Sequence, residues 1–425
     1  MSGRCTLGWM TLLTLLVPCL SNAQEAAPPG YFQSAVPSAD MGGYPCPPGT
    51  PGGYGGKNYY EEIPNDTGWL YRESPLEKFL VDVFRHSYWK AEYLLMDISN
   101  PGNNTLSQPN ALAAPDAQSF DPNGEFLIVD PNTGNVLLGM IPNTNAMQIN
   151  ENNGIRGTVG LDLKDGAFEF SAWTLQSSTE LYNGNPFINQ ANPNFEQVIF
   201  QSVLQEGAAT GYPLIYDISY QARLKTSAWG SEANWFWADP NPNDNIVFSP
   251  LVGVKYFNFK ESLRQAGDYT YIDQLSGSTQ IVQRTIDSVT DNYFYGPQIG
   301  FRTELTSKWF DIGATPRFLL GLNSYRANVS TTHILTPDEA DFYTQKTKTS
   351  FGPMFELQAY TRAKLSQNFS ILVSYNFMWA GMLTRPTDNI VYNTSITPQQ
   401  GLFGQDVNMT DVILQGISIG GELRY

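Results

Sequence analysis

The sequence predicts an all-β protein, a transmembrane, antiparallel, up-and-down β-barrel of about 10 strands, within a range of about 8 to 12. Three observations predict this fold. Apolar and polar residues alternate with a period of two from residue 87 to the end. The connections between these segments alternate between short and long. No apolar run beyond residue 25 approaches the roughly 18 residues that a membrane-spanning helix needs.

The composition excludes several classes of function. The chain has 425 residues with 24 basic and 40 acidic side chains, and its net charge of −16 argues against a nucleic-acid partner, which needs a basic surface. The two histidines, His86 and His333, lie far apart, so a histidine-rich metal site is excluded and a histidine-based catalytic triad is not expected. We therefore expect no enzyme activity, no metal and no cofactor.

Residues 1–23 predict a signal peptide. Arg4 is the only charged residue among them, and the apolar stretch at residues 9–20 is too short to span a membrane. Small residues at 21–23 predict cleavage after Ala23. Cleavage there would leave Cys46 as the only cysteine, so no intramolecular disulfide is expected.

Residues 24–74 predict a disordered arm, because Pro, Gly and Tyr are dense between residues 28 and 56 and interrupt any helical or strand period. This arm is interpreted as a flexible linker or as a tether to the cell wall or to partner chains, with Cys46 available for cross-linking. Residues 75–86 have apolar side chains at helical spacing, which predicts one short amphipathic helix before the first strand.

Residues 87–425 are predicted to form the barrel. In residues 369–379 every second side chain is apolar, from Phe369 to Trp379, and this gives the segment one strongly apolar face. A strand between lipid and a polar lumen has this pattern. The same alternation predicts strands at residues 87–98, 154–164, 167–176, 221–238, 246–262, 291–305, 309–325, 351–365, 369–381 and 411–425.

The spacing of these strands predicts two kinds of connection. The connections after the second, fourth, sixth and eighth strands are short, whereas those after the odd-numbered strands are long. Short periplasmic turns with long external loops are typical of bacterial outer-membrane barrels. A hairpin of residues 125–129 and 136–140 is expected within the first long loop, and an extra hairpin in residues 99–150 or 263–290 would raise the strand count to about 12.

The polar faces of the strands carry charges of both signs, as a barrel lumen does. Rings of charge set the ion preference of pores, so these residues are pore candidates. A barrel of this size can also be filled by its own side chains, and paired charges would then close it. Both interpretations stay open. The candidates are Lys255, Arg302, Glu304, Arg317, Glu356, Arg362, Glu422 and Arg424.

Aromatic residues near the strand ends predict girdles at the two membrane interfaces. The chain also ends on an aromatic residue within its last strand, which resembles the signal that the barrel-assembly machinery reads in outer-membrane proteins. The interface candidates are Trp89, Tyr93, Trp235, Trp237, Tyr375, Trp379 and Tyr425.

From about residue 87 to the end, the chain resembles the family named the putative β-barrel porins, type seven, of diderm bacteria. An ordered set of short segments carries the resemblance, which covers about four-fifths of the chain. It implies an outer-membrane β-barrel and, through the porin label, passive diffusion. The matching segments are residues 89–95, 228–234, 252–257, 292–300, 374–377, 385–386 and 415–425.

The sequence thus predicts an outer-membrane protein for the passive diffusion of small polar solutes, in contact with lipid and with cell-wall or homo-oligomer contacts. The alternative is a closed barrel that acts as a surface anchor or adhesin through long external loops. A second alternative, from another class, is a secreted soluble β-sandwich that binds glycans.

Overall fold

A computed structural model describes residue 83 and residues 85–424, except for positions 103, 109–124, 130–135, 148, 150, 185, 189–194, 210–213, 239–244, 274 and 395–402. The chain divides into two units, residues 1–72 and 73–425, and the described residues all belong to the second. The predicted signal peptide, the predicted arm and most of the predicted helix lie outside the described residues, as does Tyr425. They remain predictions.

The ten long strands of the described chain form a closed antiparallel ring. Each of these long strands pairs with the next one along the chain, and the ring closes where β10 pairs with β1. The predicted strand count is confirmed. The strands are β1 Ser87–Ile98, β2 Asn152–Leu163, β3 Gly166–Leu175, β4 Ser219–Trp237, β5 Ile246–Ile272, β6 Thr279–Thr306, β7 Phe310–Thr332, β8 Phe342–Lys364, β9 Phe369–Thr384 and β10 Met409–Arg424.

Four strands run further than the sequence pattern predicts. The β5 and β6 strands extend through residues 263–290, and β7 and β8 extend through residues 326–350. The connections after the fifth and seventh strands are therefore the tight turns 273–278 and 333–341 rather than long loops. The extended segment of β5 pairs with that of β6, and the extended segment of β7 pairs with that of β8, so the backbone groups along these shared edges have partners. The polar side chains of these segments still alternate, as a strand outside the membrane allows. The four turns at the other end, 164–165, 238–245, 307–309 and 365–368, are short as predicted.

An apolar band surrounds the ring. On β5 the outward residues from Ile246 to Tyr256 are apolar or aromatic, which corresponds to about 34 Å along the strand and about 25 Å along the barrel axis at the usual tilt. That height matches the hydrocarbon core that such barrels cross. Residues that lie opposite one another on neighbouring strands form what we call a rung. Val252, Ile299 and Phe318 form one such rung of the band.

The three long loops, residues 99–151, 176–218 and 385–408, fold at the end of the barrel opposite the short turns. The predicted hairpin is confirmed, since Glu125–Val129 pairs with Val136–Met140. Phe187–Ile188, Phe195–Gln201 and Leu214–Tyr216 complete this five-stranded sheet, and Ser178–Gly184 pairs with β4. The remaining elements are the strands Leu204–Gln205, Ala208–Ala209, Ile390–Val391, Asn393–Thr394 and Gly404–Gln405 and the 3-10 helices Thr144–Ala146 and Pro386–Asp388.

The loops and the barrel share one apolar core. Loop residues Met147, Ile149 and Phe403 are buried in the same cluster as Phe257 and Phe294 of the barrel wall. The loops therefore pack onto and into the ring. Among the described residues, no helix has the length and apolar character needed to cross a membrane.

Ring closure beside β1 depends on a close fit between Tyr88 and Gly160. The Tyr88 ring is buried and lies where a Cβ on Gly160 would be, whereas a Cβ on Gly157 of the same strand would meet open space. We predict that Gly160→Ala lowers the free energy of unfolding by about 1–3 kcal/mol, because the added methyl overpacks a filled site. Urea unfolding in detergent, followed by heat-modifiable gel mobility, measures this. Gly157→Ala is the control, and equal effects of both substitutions would contradict the fit.

Candidate functional site

The half of the barrel interior that lies nearest the short turns is filled by charged side chains. Eight cations and eight carboxylates of the described residues form three neighbouring groups of ion pairs there, which we together call the charge network. Their charges cancel, although the whole chain carries −16. Its members are Lys90, Glu92, Arg156, Asp162, Glu169, Glu232, Lys255, Arg302, Glu304, Asp311, Arg317, Glu356, Arg362, Lys364, Glu422 and Arg424.

The centre of the charge network joins opposite walls of the barrel. The Lys255 ammonium on β5 is 2% exposed and lies 3.2 Å from a Glu232 carboxylate oxygen of β4, and it also pairs with Glu356 of β8. Arg317 of β7 donates to Glu232 as well, and Gln298 of β6 donates to the same carboxylate at 3.3 Å. Strands β4 to β8 are therefore connected through the lumen by one carboxylate cluster.

A second cluster links the two ends of the barrel sequence. Arg156 of β2 forms a bidentate pair with Glu92 of β1, with N–O distances of 2.6 and 2.7 Å. The same guanidinium donates to Asn376 of β9 at 3.0 Å and to Ser418 of β10 at 3.3 Å. A bidentate, charge-assisted contact fixes the orientation of both partners, so Arg156 crosses the lumen in a defined position.

At the short-turn end, Arg362 of β8 is the most connected cation. It lies 2.7 Å from Glu304, 2.9 Å from Glu422 and 3.2 Å from Asp311, as measured from guanidinium nitrogen to carboxylate oxygen. Nearby, Arg302 lies 2.7 Å from Glu169. Arg362, Glu304 and Asp311 line a cavity of about 610 Å³ at the short-turn end.

The structure places all eight predicted pore candidates in the charge network. Sequence reasoning did not single out Lys90, Glu92, Glu169, Glu232 or Asp311, although each lies on the polar face of an alternating strand. The alternation in the sequence did contain the signal that would have identified these residues. Glu169, for example, stands between Phe168 and Phe170, so the period of two already assigns it to the lumen side.

An apolar layer lies on the loop side of the charge network. Phe257, Phe259 and Phe294 are fully buried inside the barrel, and the Phe257 ring lies 5.8 Å from both Trp173 and Phe294, centroid to centroid. These rings belong to the same buried apolar cluster as aliphatic side chains of the wall such as Leu94, Met354 and Met378.

The loop that follows β9 closes the barrel above this layer. A bulge between Ala380 and Leu383 and the left-handed backbone of Met382, with φ of 60°, redirect the chain inward. Arg385 is then 2% exposed and forms a bidentate pair with Glu261 of β5, at 2.6 and 2.8 Å. Its remaining nitrogen donates to the Ser99 carbonyl at 2.8 Å. Burial raises the pKa of the Asp388 carboxyl in the same loop above its usual value.

A buried cluster of amides and phenols ties the other loops to β5. Gln201 donates to Gln265 of β5 at 2.5 Å, and Tyr216 donates to Gln201 at 2.7 Å. Tyr220 donates to Gln265 at 3.0 Å, and Gln265 donates to Tyr392 at 3.0 Å. Gln201 also donates to the Leu106 carbonyl of the first loop at 2.7 Å. Since these groups satisfy one another, the cluster holds three loops in place.

The remaining space within the barrel is small. Two cavities of about 50 and 30 Å³ lie in and beside the charge network, and Arg156, Ser171, Glu232 and Arg317 line both. Both are far smaller than the cavity of about 610 Å³ at the short-turn end.

The predicted interface aromatics all lie on the outward face, apart from Tyr425, which is outside the described residues. Trp89, Tyr93, Trp237 and Tyr375 are exposed, while Trp235 and Trp379 are partly covered by neighbours. Trp237 lies beside the turn at 238–245, at the short-turn edge of the apolar band. The opposite edge contains Trp229 and Tyr256, whose ring centroids lie 4.9 Å apart.

A closed ring with a lipid-height apolar band outside and ion pairs inside defines an outer-membrane β-barrel protein. The chain belongs to the family described as Putative beta barrel porin-7 (BBP7), whose model matches residues 88–425. The suspected family is thereby confirmed. No curated protein matches the sequence.

Three solved structures illustrate the general likeness to outer-membrane barrels. The outer-membrane protease OmpT of Escherichia coli is 9% identical, with 80% of this chain and 96% of that chain covered and a TM-score of 0.41. A Pseudomonas aeruginosa FadL homologue is 10% identical, with 80% and 90% covered and a TM-score of 0.24. OmpT of Vibrio cholerae is 8% identical, with 80% and 98% covered and a TM-score of 0.12.

Within the described part of the chain, no group of three or more His, Cys, Asp or Glu side chains is arranged to hold a metal ion. The expectation that the protein is not an enzyme and needs no cofactor stays a prediction.

The Arg156–Glu92 pair allows a direct test of how much the charge network stabilises the barrel. We predict that Arg156→Met lowers the free energy of unfolding by about 3–5 kcal/mol, because it leaves the buried Glu92 carboxylate without its cation. The double variant Arg156→Met with Glu92→Gln should recover most of this loss. Urea titration in detergent measures both.

Arg264→Met is the matched control, because its pair with Asp287 is exposed and should contribute at most about 1 kcal/mol. If Arg156→Met and Arg264→Met lower the free energy of unfolding by the same amount, the buried ion pairs of the charge network contribute no more to stability than an exposed pair does.

Proposed function

We propose that this protein is a closed outer-membrane barrel that anchors its folded loops at the cell surface, where they serve as a binding or adhesive surface. One observation carries the proposal: the lumen is blocked by three successive layers. These are the charge network, the buried aromatic rings around Phe257, and the loop segment held by Arg385 and Glu261.

The charge balance supports a closed barrel. In an ion-selective pore, an excess of one sign of charge lines the path and remains available to the passing ion. Here the carboxylates Glu169, Glu232 and Glu422 each contact two or more cations, and at least one of these cations comes from a strand that is not adjacent. Their charge is therefore neutralised by ion pairs within the barrel.

The loops support a surface role. They contain β-sheets of their own, and they share a core with the barrel through Leu106, Ile199 and Tyr392. A fixed, folded surface of this kind presents side chains in defined positions, whereas freely moving loops would not. We propose that the chain reaches this location through the signal peptide at residues 1–23 and through the assembly machinery acting on β10, and that it acts without enzyme chemistry.

Passive diffusion of small polar solutes is the second candidate, and the description of the family as porins favours it. The described part of the segment at residues 385–408 would then have to leave the lumen, and the apolar layer around Phe257 would have to rearrange. Such an opening must break the Arg385–Glu261 pair, which is the ion pair that joins the described residues of this segment to the wall.

We predict that the refolded, detergent-purified chain inserts into planar bilayers without giving stable conductance steps. Bilayer recording of the heat-modifiable, folded form measures this. Stable steps from the wild-type chain, reduced by Arg302→Gln with Arg317→Gln, would contradict the closed barrel and support diffusion.

A Glu261→Gln variant distinguishes a permanently closed barrel from a closed but openable one. If diffusion is the function, the loss of this carboxylate leaves Arg385 buried without a counter-charge, and conductance steps should appear. Asp287→Asn removes one exposed negative charge from the neighbouring strand and should give none. Silence from both variants supports the anchor.

A further inference from the structure

Five outward-facing cations cluster on one wall of the barrel, directly beyond the apolar band on the loop side. Lys260 of β5 and Arg326 of β7 lie on one rung, on either side of Asp291 of β6. The next outward-facing residues along the strands, further from the band, include Lys225 of β4. The outward-facing residues after those include Arg223 and Arg264, which lie opposite each other. All five side chains are exposed. We call them the cationic patch.

The cationic patch has a net positive charge in a strongly acidic chain. Asp291 lies 3.3 Å from Lys260, and Asp287 lies 3.8 Å from Arg264, so two carboxylates offset two cations. Among the described residues, Lys225 and Arg326 form no ion pair. Arg223 has one hydrogen bond, to Gln221 at 3.4 Å. Three positive charges therefore stay available to a ligand.

The position of the cationic patch indicates what it contacts. The rungs just below it carry Trp229, Tyr256 and Tyr293, the aromatic edge of the apolar band. Consecutive outward side chains of a strand are about 6.6 Å apart, so Lys260 and Arg326 lie about 5 Å beyond Trp229 and Tyr293 along the barrel axis at the usual tilt. Lipid headgroups occupy this depth. Lys225, Arg223 and Arg264 lie about 10–15 Å beyond the same aromatic residues, at the outer side of the headgroups, and their long side chains can extend toward them.

The opposite wall differs. There the outward positions that follow the band on the loop side include Asp97 of β1 and Asp411 of β10, which are both exposed. A general need for solubility above the membrane would not place cations on one wall and carboxylates on the other.

We propose that the cationic patch binds the phosphate groups of lipid headgroups in the outer leaflet. Phosphate is recognised by Arg through paired N–H donors and by Lys through a point charge. The patch spans three interstrand spacings, which is about 14 Å, so it has room for more than one phosphate. A lipid is the occupant, rather than a protein or a free anion, because the patch continues the apolar band that holds the acyl chains.

The test compares lipid binding by two charge-matched double variants of the full, detergent-purified chain, using native mass spectrometry. The probe is a bis-phosphorylated glucosamine lipid, and its dephosphorylated form is the reference. Lys225→Gln with Arg326→Gln should weaken binding of the phosphorylated lipid about thirty-fold, since each cation near an anionic surface contributes a factor of about five. Lys164→Gln with Lys308→Gln, at the short-turn end, should bind as the wild type does.

A third variant distinguishes a change in lipid binding from a folding defect. Asp291→Asn removes the carboxylate beside Lys260 and should tighten binding about fivefold, which a misfolded chain cannot do. Equal binding by the two double variants, equal binding of the dephosphorylated lipid, or displacement by the same concentration of inorganic phosphate would each overturn the proposal. The result does not depend on whether the lumen conducts, so it is separate from the proposed function.

Discussion

Backbone pairing inside the membrane is the constraint on which the rest of the structure depends. No water is available in the hydrocarbon core, so each N–H and C=O group must find a partner in the protein, and a sheet can meet that demand only by closing. Ten strands close here with β10 against β1. A ring of this size is narrow, and its inward side chains reach one another across the lumen. The charge network follows from that distance, because charges that cannot be hydrated must be paired.

The interior and the loops then act as one unit. The ion pairs Lys255–Glu356 and Arg317–Glu232 connect strands that are not neighbours, and the apolar layer around Phe257 packs on the loop side of them. Arg385 adds a loop to the same interior through Glu261. In an outer-membrane protein built this way, little of the lumen is left for transport, and the loops and the outer wall are the surfaces that other molecules can reach.

The period of two was sufficient to predict the ten strands, the loop hairpin at 125–129 and 136–140, and the inward direction of charges such as Arg302. It could not show whether those charges would be free or paired, because that depends on which residues meet across the lumen. The alternation also could not predict the role of Arg385, because a bulge and the left-handed backbone of Met382 turn this side chain inward. The extensions of β5 to β8 were missed because polar alternation looks the same in a loop and in a strand that extends into water.

The most direct test of the closed barrel is thiol accessibility in intact cells, in a Cys46→Ser background. Ser171→Cys faces the cavities of the charge network, and Leu275→Cys lies at the 99% exposed tip of the β5–β6 turn. A membrane-impermeant thiol reagent should label Leu275→Cys at once and should label Ser171→Cys only after unfolding. Rapid labelling of Ser171→Cys in the folded, membrane-embedded protein would contradict the account, because it would require an open aqueous path to the centre of the barrel.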